Sequence, residues 1–343
     1  MTGAALVDEL DLALIGALQQ APRAPLRALA DALGSSASTI GRRWQRLHDD
    51  RLLRVIGQLD WNLVSETRPR HVWITTAPGR SPEVARRVAA LPEVQYVALT
   101  SGRADVYCTA HPGNRAAARD LLTRRIPAVG GVRDTRSDLV LRAVGRADAW
   151  CGAPVPDPVR AALAAHRRAD PPSPAVAFES LSEPERRAAA LLHGNARLTS
   201  SDLARELGVS QSSAHRLLGG LLERRVVRPR VEVEPAVLGF QVEAVVALAT
   251  EPGTTAEVGR ALGNHPSARY VSVVAGSATV IHQGVFGDED ALADFLSDDL
   301  AGLPGIRSTE VSVVLDVLRR YWIDRDGVRL GEARIPLRGT APG

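Results

Sequence analysis

Ser38, Thr39, Arg42, Gln45 and Arg46 lie within one short stretch of the sequence, and at 100° per residue they fall on the helix face opposite an apolar stripe of Ile40, Trp44 and Leu47. Arginine forks onto guanine O6 and N7, glutamine onto adenine, and small hydroxyls reach phosphate or base edge. A face of this kind has the chemistry to read double-stranded DNA. The plainer alternative is the solvated side of an ordinary helix. The same pattern returns later as Ser212, Ser213 and Arg216, with Gln211 and His215 as candidates unique to this copy, but Gly219 and Gly220 stand where Gln45 and Arg46 stood. Two donors are lost there, and each interior glycine costs a helix about 1 kcal/mol relative to alanine. His215 falls at the side of this second helix, and Arg224, Arg225, Arg228 and Arg230 follow as a basic cluster suited to phosphates.

The elements that must position these faces are legible from spacing. Leu10, Leu14, Ile15 and Leu18 space one helix; Leu26, Leu29, Ala30 and Leu33 space a second that Gly34 ends; Ser36 or Ser38 caps the third. This is the helix-turn-helix pattern, whose second helix enters the major groove. The stretch Val55–Leu59 is β-prone with a glycine inside and suits a small wing. After it, strand and helix patterns alternate in a β-α-β-β-α-β order, which builds an antiparallel sheet with both helices on one face and leaves the other face in need of a partner.

The whole arrangement is written twice. Leu29, Ala30, Leu33, Gly34, Arg42 and Leu47 recur as Leu203, Ala204, Leu207, Gly208, Arg216 and Leu221, and the offset of 174 persists through Tyr96/Tyr270, Gly102/Gly276 and Leu141/Leu315. The resulting division is a winged helix-turn-helix over 1–62, a sheet domain over 66–146, a Pro/Ala/Arg linker over 147–178, a second helix-turn-helix over 179–236, a second sheet domain over 240–320 and a tail over 321–343. The two sheet domains are expected to bury their bare faces on each other.

The 343 residues are 45% hydrophobic and 24% charged, with a net charge of +3, a globular and mildly basic balance. No lysine occurs, which reads as codon bias. Cys108 and Cys151 form no metal-ligand or disulfide pattern, no apolar run is long enough to cross a membrane, and no signal peptide opens the chain. A soluble cytoplasmic protein without membrane partner, metal or cofactor is expected, and no nucleophile–base pair, phosphate loop or dinucleotide fingerprint argues for an enzyme.

Together, the stretch from Leu29-Ala30 through Leu33-Gly34-Ser35-Ser36, Arg42, Leu47 and Leu52-Leu53, its repeat from Leu203, and the sheet domain with Gly102 and Asp105 in its central turn resemble the Lrp/AsnC bacterial transcription regulators. Ordinary members carry one copy. The resemblance implies an α+β fold, a winged helix-turn-helix followed by a ferredoxin-like domain, with DNA bound by the helical part. It also implies oligomerisation and small-molecule sensing, often of an amino acid, by the sheet part. In the family the central turn contributes to the effector pocket, which points to Ser101, Gly102, Arg103, Asp105 and Gly276. There Asp105 would take an ammonium group and Arg103 a carboxylate, whereas the plainer roles are a strand-end cap for Asp105 and a positive-φ turn for both glycines. Copy two offers Thr279 in place of Asp105. The alternatives are a siroheme-decarboxylase-like enzyme on the same fold and a sensor that no longer binds DNA.

Overall fold

A computed structural model describes residues 6–145, 150–167 and 176–338, so parts of the expected linker and both chain ends lie outside the described residues. The first copy runs α1 (Glu9–Gln20), α2 (Leu26–Ala32), α3 (Ala37–Asp49), β1 (Arg54–Leu59), β2 (Arg70–Thr76), α4 (Ser81–Ala89), β3 (Val94–Thr100), β4 (Val106–Ala110), α5 (Arg115–Asp120) and β5 (Val132–Gly145). A short α6 (Asp157–Ala162) follows. The second copy runs α7 (Glu183–Gly194), α8 (Ser200–Leu207), α9 (Gln211–Glu223), β6 (Val227–Glu232), β7 (Val242–Thr250), α10 (Thr255–Gly263), β8 (Ala268–Ala275), β9 (Val280–Phe286), α11 (Glu289–Asp294) and β10 (Ile306–Arg320). Two further strands, β11 (Ile323–Asp326) and β12 (Arg329–Ala333), occupy the stretch expected as a tail.

These elements gather by kind rather than by copy. One unit holds the chain up to Leu63 with Cys151–Leu238 and Val328–Leu337; the other holds Val64–Trp150 and Gly239–Gly327.

In the helical unit, local chemistry sets each helix start. Asp8 and Asp11 form a capping box at α1, as do Thr199 and Asp202 at α8. Gly34 and Gly208 take φ of +62° and +68°, the left-handed turn that lets the chain leave α2 and α8. Ser36 then caps α3 and Ser210 caps α9. Ile40 and Leu47 are buried as expected, but Trp44 is only half-buried, with the Arg197 guanidinium 5.1 Å over its ring.

The expected wings do not fold back within their own copies. β1 pairs antiparallel with β6, from Arg54↔Glu232 to Leu59↔Val227, so each copy satisfies the other's backbone. Gly57 in β1 owes its place to packing: a Cβ there would stand 2.7 Å from the Leu192 carbonyl of α7. A reciprocal exchange reinforces the pair. Arg23 donates to the Ala196 and Leu198 carbonyls, and its 174-offset equivalent Arg197 donates to those of Pro22 and Ala24 at 2.7 and 2.9 Å.

In the sheet unit, the strand order β3-β4-β2-β5 of copy one is mirrored by β8-β9-β7-β10 of copy two. The long strands β5 and β10 join them. β5 pairs with β2 up to Leu139 and with β8 from there on, while β10 pairs with β7 up to Val313 and with β3 from Val314. The eight strands therefore close on themselves, and no edge remains among them. Each sheet's outer face carries its own helices over an apolar layer, Val72, Ile74, Val84 and Leu121 in copy one and Val246, Leu248, Val258 and Phe295 in copy two. The inner faces meet in a seam that is aromatic and polar.

Buried histidines give the fold a pH dependence. Burial pushes His71 and His193 down to about 4 and His111 and His282 down to about 3. The unfolded chain titrates near 6.5, so below that pH it binds protons the native state refuses. Stability is full above about pH 6.5 and is lost on acidification toward 4, by up to about 1.4 kcal/mol per pH unit per histidine. Denaturant melts at pH 7.5 and 5.0 are expected to show a lower midpoint at 5.0; coincident curves would show that these rings do not control it.

Candidate nucleic-acid interface

Ser36 caps α3 through a 3.1 Å bond from the Thr39 amide, and its hydroxyl also meets those of Ser38 and Thr39, both at 2.9 Å. The first turn of α3 thus presents a cluster of hydroxyls, with Ser38 exposed and Thr39 half-buried. One turn on, Arg42 is exposed, with no ion pair among the described residues. Gln45 is also exposed and donates to Asp49 at 2.8 Å, a surface bond it can trade for a base edge.

Arg46, expected among the base readers, is engaged within the helical domain. Its guanidinium pairs with Asp11 and reaches the Leu6 carbonyl, while Arg43 pairs with Asp8 at 2.7 Å and Asp11 at 2.9 Å. The reason is Asp11, whose side chain is 1% exposed: a carboxylate so buried needs charged partners, and the two arginines that supply them bolt α3 to α1. The Arg43 hydrogen bond also holds the Asp8 carboxyl below its usual range. Asp11 as the inward third residue of a capping box was the signal in the sequence.

In copy two, Gln211 donates to the Ser200 and Ser201 hydroxyls at 3.0 and 3.1 Å and ties the start of α9 to α8. Ser212, His215 and Arg216 are exposed and Ser213 is half-buried, with Arg216 resting on the Ser213 hydroxyl at 3.3 Å. Gly219 and Gly220 face open space. The basic cluster beyond is largely consumed internally: Arg224 pairs with Glu185, Arg228 with Asp60, and the buried Arg230 with Glu232.

The residues expected around an effector are largely engaged within the sheet unit. Asp105 accepts from the Thr76 amide at 2.6 Å and its hydroxyl at 3.1 Å, and Thr279 accepts from the Thr250 amide at 2.9 Å. Both side chains therefore tie down a strand end, which is the plainer role. Gly102 does take a positive φ, +95°, and a Cβ there would stand 2.3 Å from the Val311 carbonyl oxygen. Gly276 is not left-handed; its constraint is Asp138, whose Oδ1 would lie 2.0 Å from a Cβ. Ser101 is exposed, and its amide donates to the Val313 carbonyl at 2.9 Å. Arg103 is drawn into the seam between the sheets, on Glu310 at 2.5 Å, on the Ser277 hydroxyl and 4.8 Å over the Trp73 ring.

Sequence reasoning expected the two sheets to meet but missed the polar and aromatic groups between them. His71 bonds the Ser272 hydroxyl at 3.0 Å and the Tyr107 hydroxyl at 2.5 Å, Gln283 donates to Tyr107 at 2.9 Å, and the Trp73 indole donates to Asp138 at 2.8 Å. Nothing in strand periodicity separates such residues from ordinary inward positions.

A helix-turn-helix with a polar recognition face, followed by a βαββαβ sheet domain and then both again, is the order in which known domains match this chain. The AsnC-type helix-turn-helix domain matches residues 7–48, and the Lrp/AsnC ligand binding domain matches twice, over 71–150 and 243–322. The chain belongs to the Lrp/AsnC family. The second helix-turn-helix is matched by the IclR helix-turn-helix domain over 189–230, so this Lrp/AsnC member has helix-turn-helix domains of two sequence types. An HTH-type transcriptional regulator of Pyrococcus abyssi is 27% identical over 138 residues, 40% of this chain and 87% of its own length. The HTH-type transcriptional regulator LysM of Saccharolobus solfataricus is 26% identical over 140 residues, 41% and 97%. Over the full length, the siroheme decarboxylase NirDL has the same fold, with a TM-score of 0.59 at 16% identity, covering 97% of this chain and 95% of that one. Like these relatives, this chain is a DNA-binding transcription regulator by domain content.

Proposed function

We propose that the chain is a sequence-specific regulator whose DNA affinity or assembly responds to a small molecule, with an amino acid as the class to test first. The observation that carries the reading is α3: a capped helix bolted to α1 by Asp11, with Ser38, Thr39, Arg42 and Gln45 turned outward. In copy two, Ser212, Ser213 and Arg216 supply the matching face, with Gln211 fastening the helix start. Arg42 and Arg216 are the base readers in this scheme, and the hydroxyls position the helices on phosphates. Binding-site mapping of the tagged protein across its genome, followed by footprinting, is expected to return a defined motif that short purified duplexes reproduce. Calorimetry with an amino-acid panel tests the effector. Uniform, sequence-independent binding would remove the specificity, and an unresponsive panel would remove the amino acid while leaving DNA binding intact.

The full-length likeness to NirDL supports a second reading, a catalytic chain on this fold. Visible absorbance of the purified protein, and its change on titration with an iron tetrapyrrole, separates the two.

A further inference from the structure

The two inner sheet faces that meet in the seam descend from one sequence, yet they have become unlike. Copy one contributes His71, Trp73, Arg103 and Tyr107; at the 174 offset copy two contributes Val245, Ala247, Ser277 and Ile281. Large stands against small. The charged and polar positions have diverged in the same complementary sense: Glu310 answers Arg136, Ser312 answers Asp138, and Ser272 answers Ala98.

We propose that this seam is a discriminating interface, which accepts one copy-one sheet domain against one copy-two sheet domain and rejects either domain paired with itself. Three contacts across the seam depend on the difference. His71 is fully buried and meets Ser272; against a second copy one it would meet Ala98, and the ring nitrogen would lose its partner. The Tyr107 hydroxyl receives the Gln283 amide, whose counterpart is Thr109, one atom type and a reach short of it. The Asp138 carboxylate, 1% exposed, takes the Ser277 amide at 2.7 Å, but the Ser312 hydroxyl takes the Arg103 amide at the equivalent place, so this contact is common to both halves of the seam. Arg103 settles the matter electrostatically. Its side chain is 6% exposed and lies between Ser277 and Glu310. In a pair of copy-one domains those places would be held by Arg103 and Arg136 of the other domain, three guanidinium groups with no carboxylate in the position of Glu310.

A pair of copy-two domains fails for the opposite reason. Ala247 and Ile281 would replace Trp73 and Tyr107, leaving the seam short of two large rings, and Glu310 would face serine. Duplication within one chain permits this. A homodimer must satisfy its own reflection, whereas two linked copies are free to place a large or charged residue on one side only.

The test is a charge swap on the full-length chain. Arg103→Glu sets two carboxylates together and Glu310→Arg sets two guanidinium groups together; each is expected to lower the melting temperature of the sheet unit by about 5 °C or more. The double variant Arg103→Glu/Glu310→Arg restores opposite charges and is expected to recover at least half of the loss. A double variant as unstable as the worse single one overturns the proposal. As a second arm, a protease site is placed within residues 168–175 and the cleaved wild type is examined by native mass spectrometry. Complexes with one N-terminal and one C-terminal fragment are expected, and pairs of like fragments overturn it.

Discussion

Gly102→Ala is expected to destabilise the sheet unit by about 3–4 kcal/mol. Two independent costs coincide there. The residue holds φ at +95°, and its new Cβ would stand 2.3 Å from the Val311 carbonyl oxygen. That oxygen belongs to β10, which pairs with β7 at Val311↔Val246 and is held just beyond by the Arg103 amide on the Ser312 hydroxyl and the Ser101 amide on the Val313 carbonyl, so the backbone has little room to yield. Gly79 provides the control, because its φ is +75° and nothing lies within 4 Å of a Cβ. Gly79→Ala should cost only the conformational part, about 1–2 kcal/mol. Urea denaturation of both variants measures the difference; equal losses would show that the close approach to Val311 carries no energy.

Arg42→Ala is expected to weaken specific DNA binding by about tenfold or more, with a smaller loss for Arg216→Ala, because one good bidentate base contact is worth roughly 1–3 kcal/mol. The two arginines occupy equivalent positions, but their helices differ. α3 is bolted through Asp11 to α1 by two arginines, whereas α9 carries Leu217 and Gly220 at the matching positions, and Gly219-Gly220 in its interior. A stiffer helix loses less freedom when it docks and so realises more of each contact. Titrations of both variants at one fixed salt concentration decide it, since phosphate contacts alone shift affinity with salt. A larger loss at Arg216 would move the dominant reader to copy two. Arg46→Ala is the informative companion: its effect should appear as a less stable helical unit before it appears as lost base preference.

What could be read in advance about the site divides along the same line as the fold. Arg42 and Arg46 look alike in the sequence, one turn apart on the same polar face, and only the burial of Asp11 separates a free guanidinium from a structural one. Asp105 and Thr279 look unlike, yet both hold the amide of a threonine at the end of β2 or β7. Residue type therefore overstated one similarity and one difference, because the partners that assign these roles come from other elements.

The sequence by itself determined the helix-turn-helix starts and stops, the βαββαβ order and the duplication, since caps, glycine turns and apolar periods act within a few residues of one another. Tertiary structure decided where each unpaired edge and face went. β1 found β6 instead of a wing of its own, β5 and β10 each crossed into the other copy's sheet, and Trp322, placed in an expected tail, lies buried with its indole on the Pro92 carbonyl. These are long-range choices between partners with the same local pattern, and a strand's alternation records that one face is buried without recording against what.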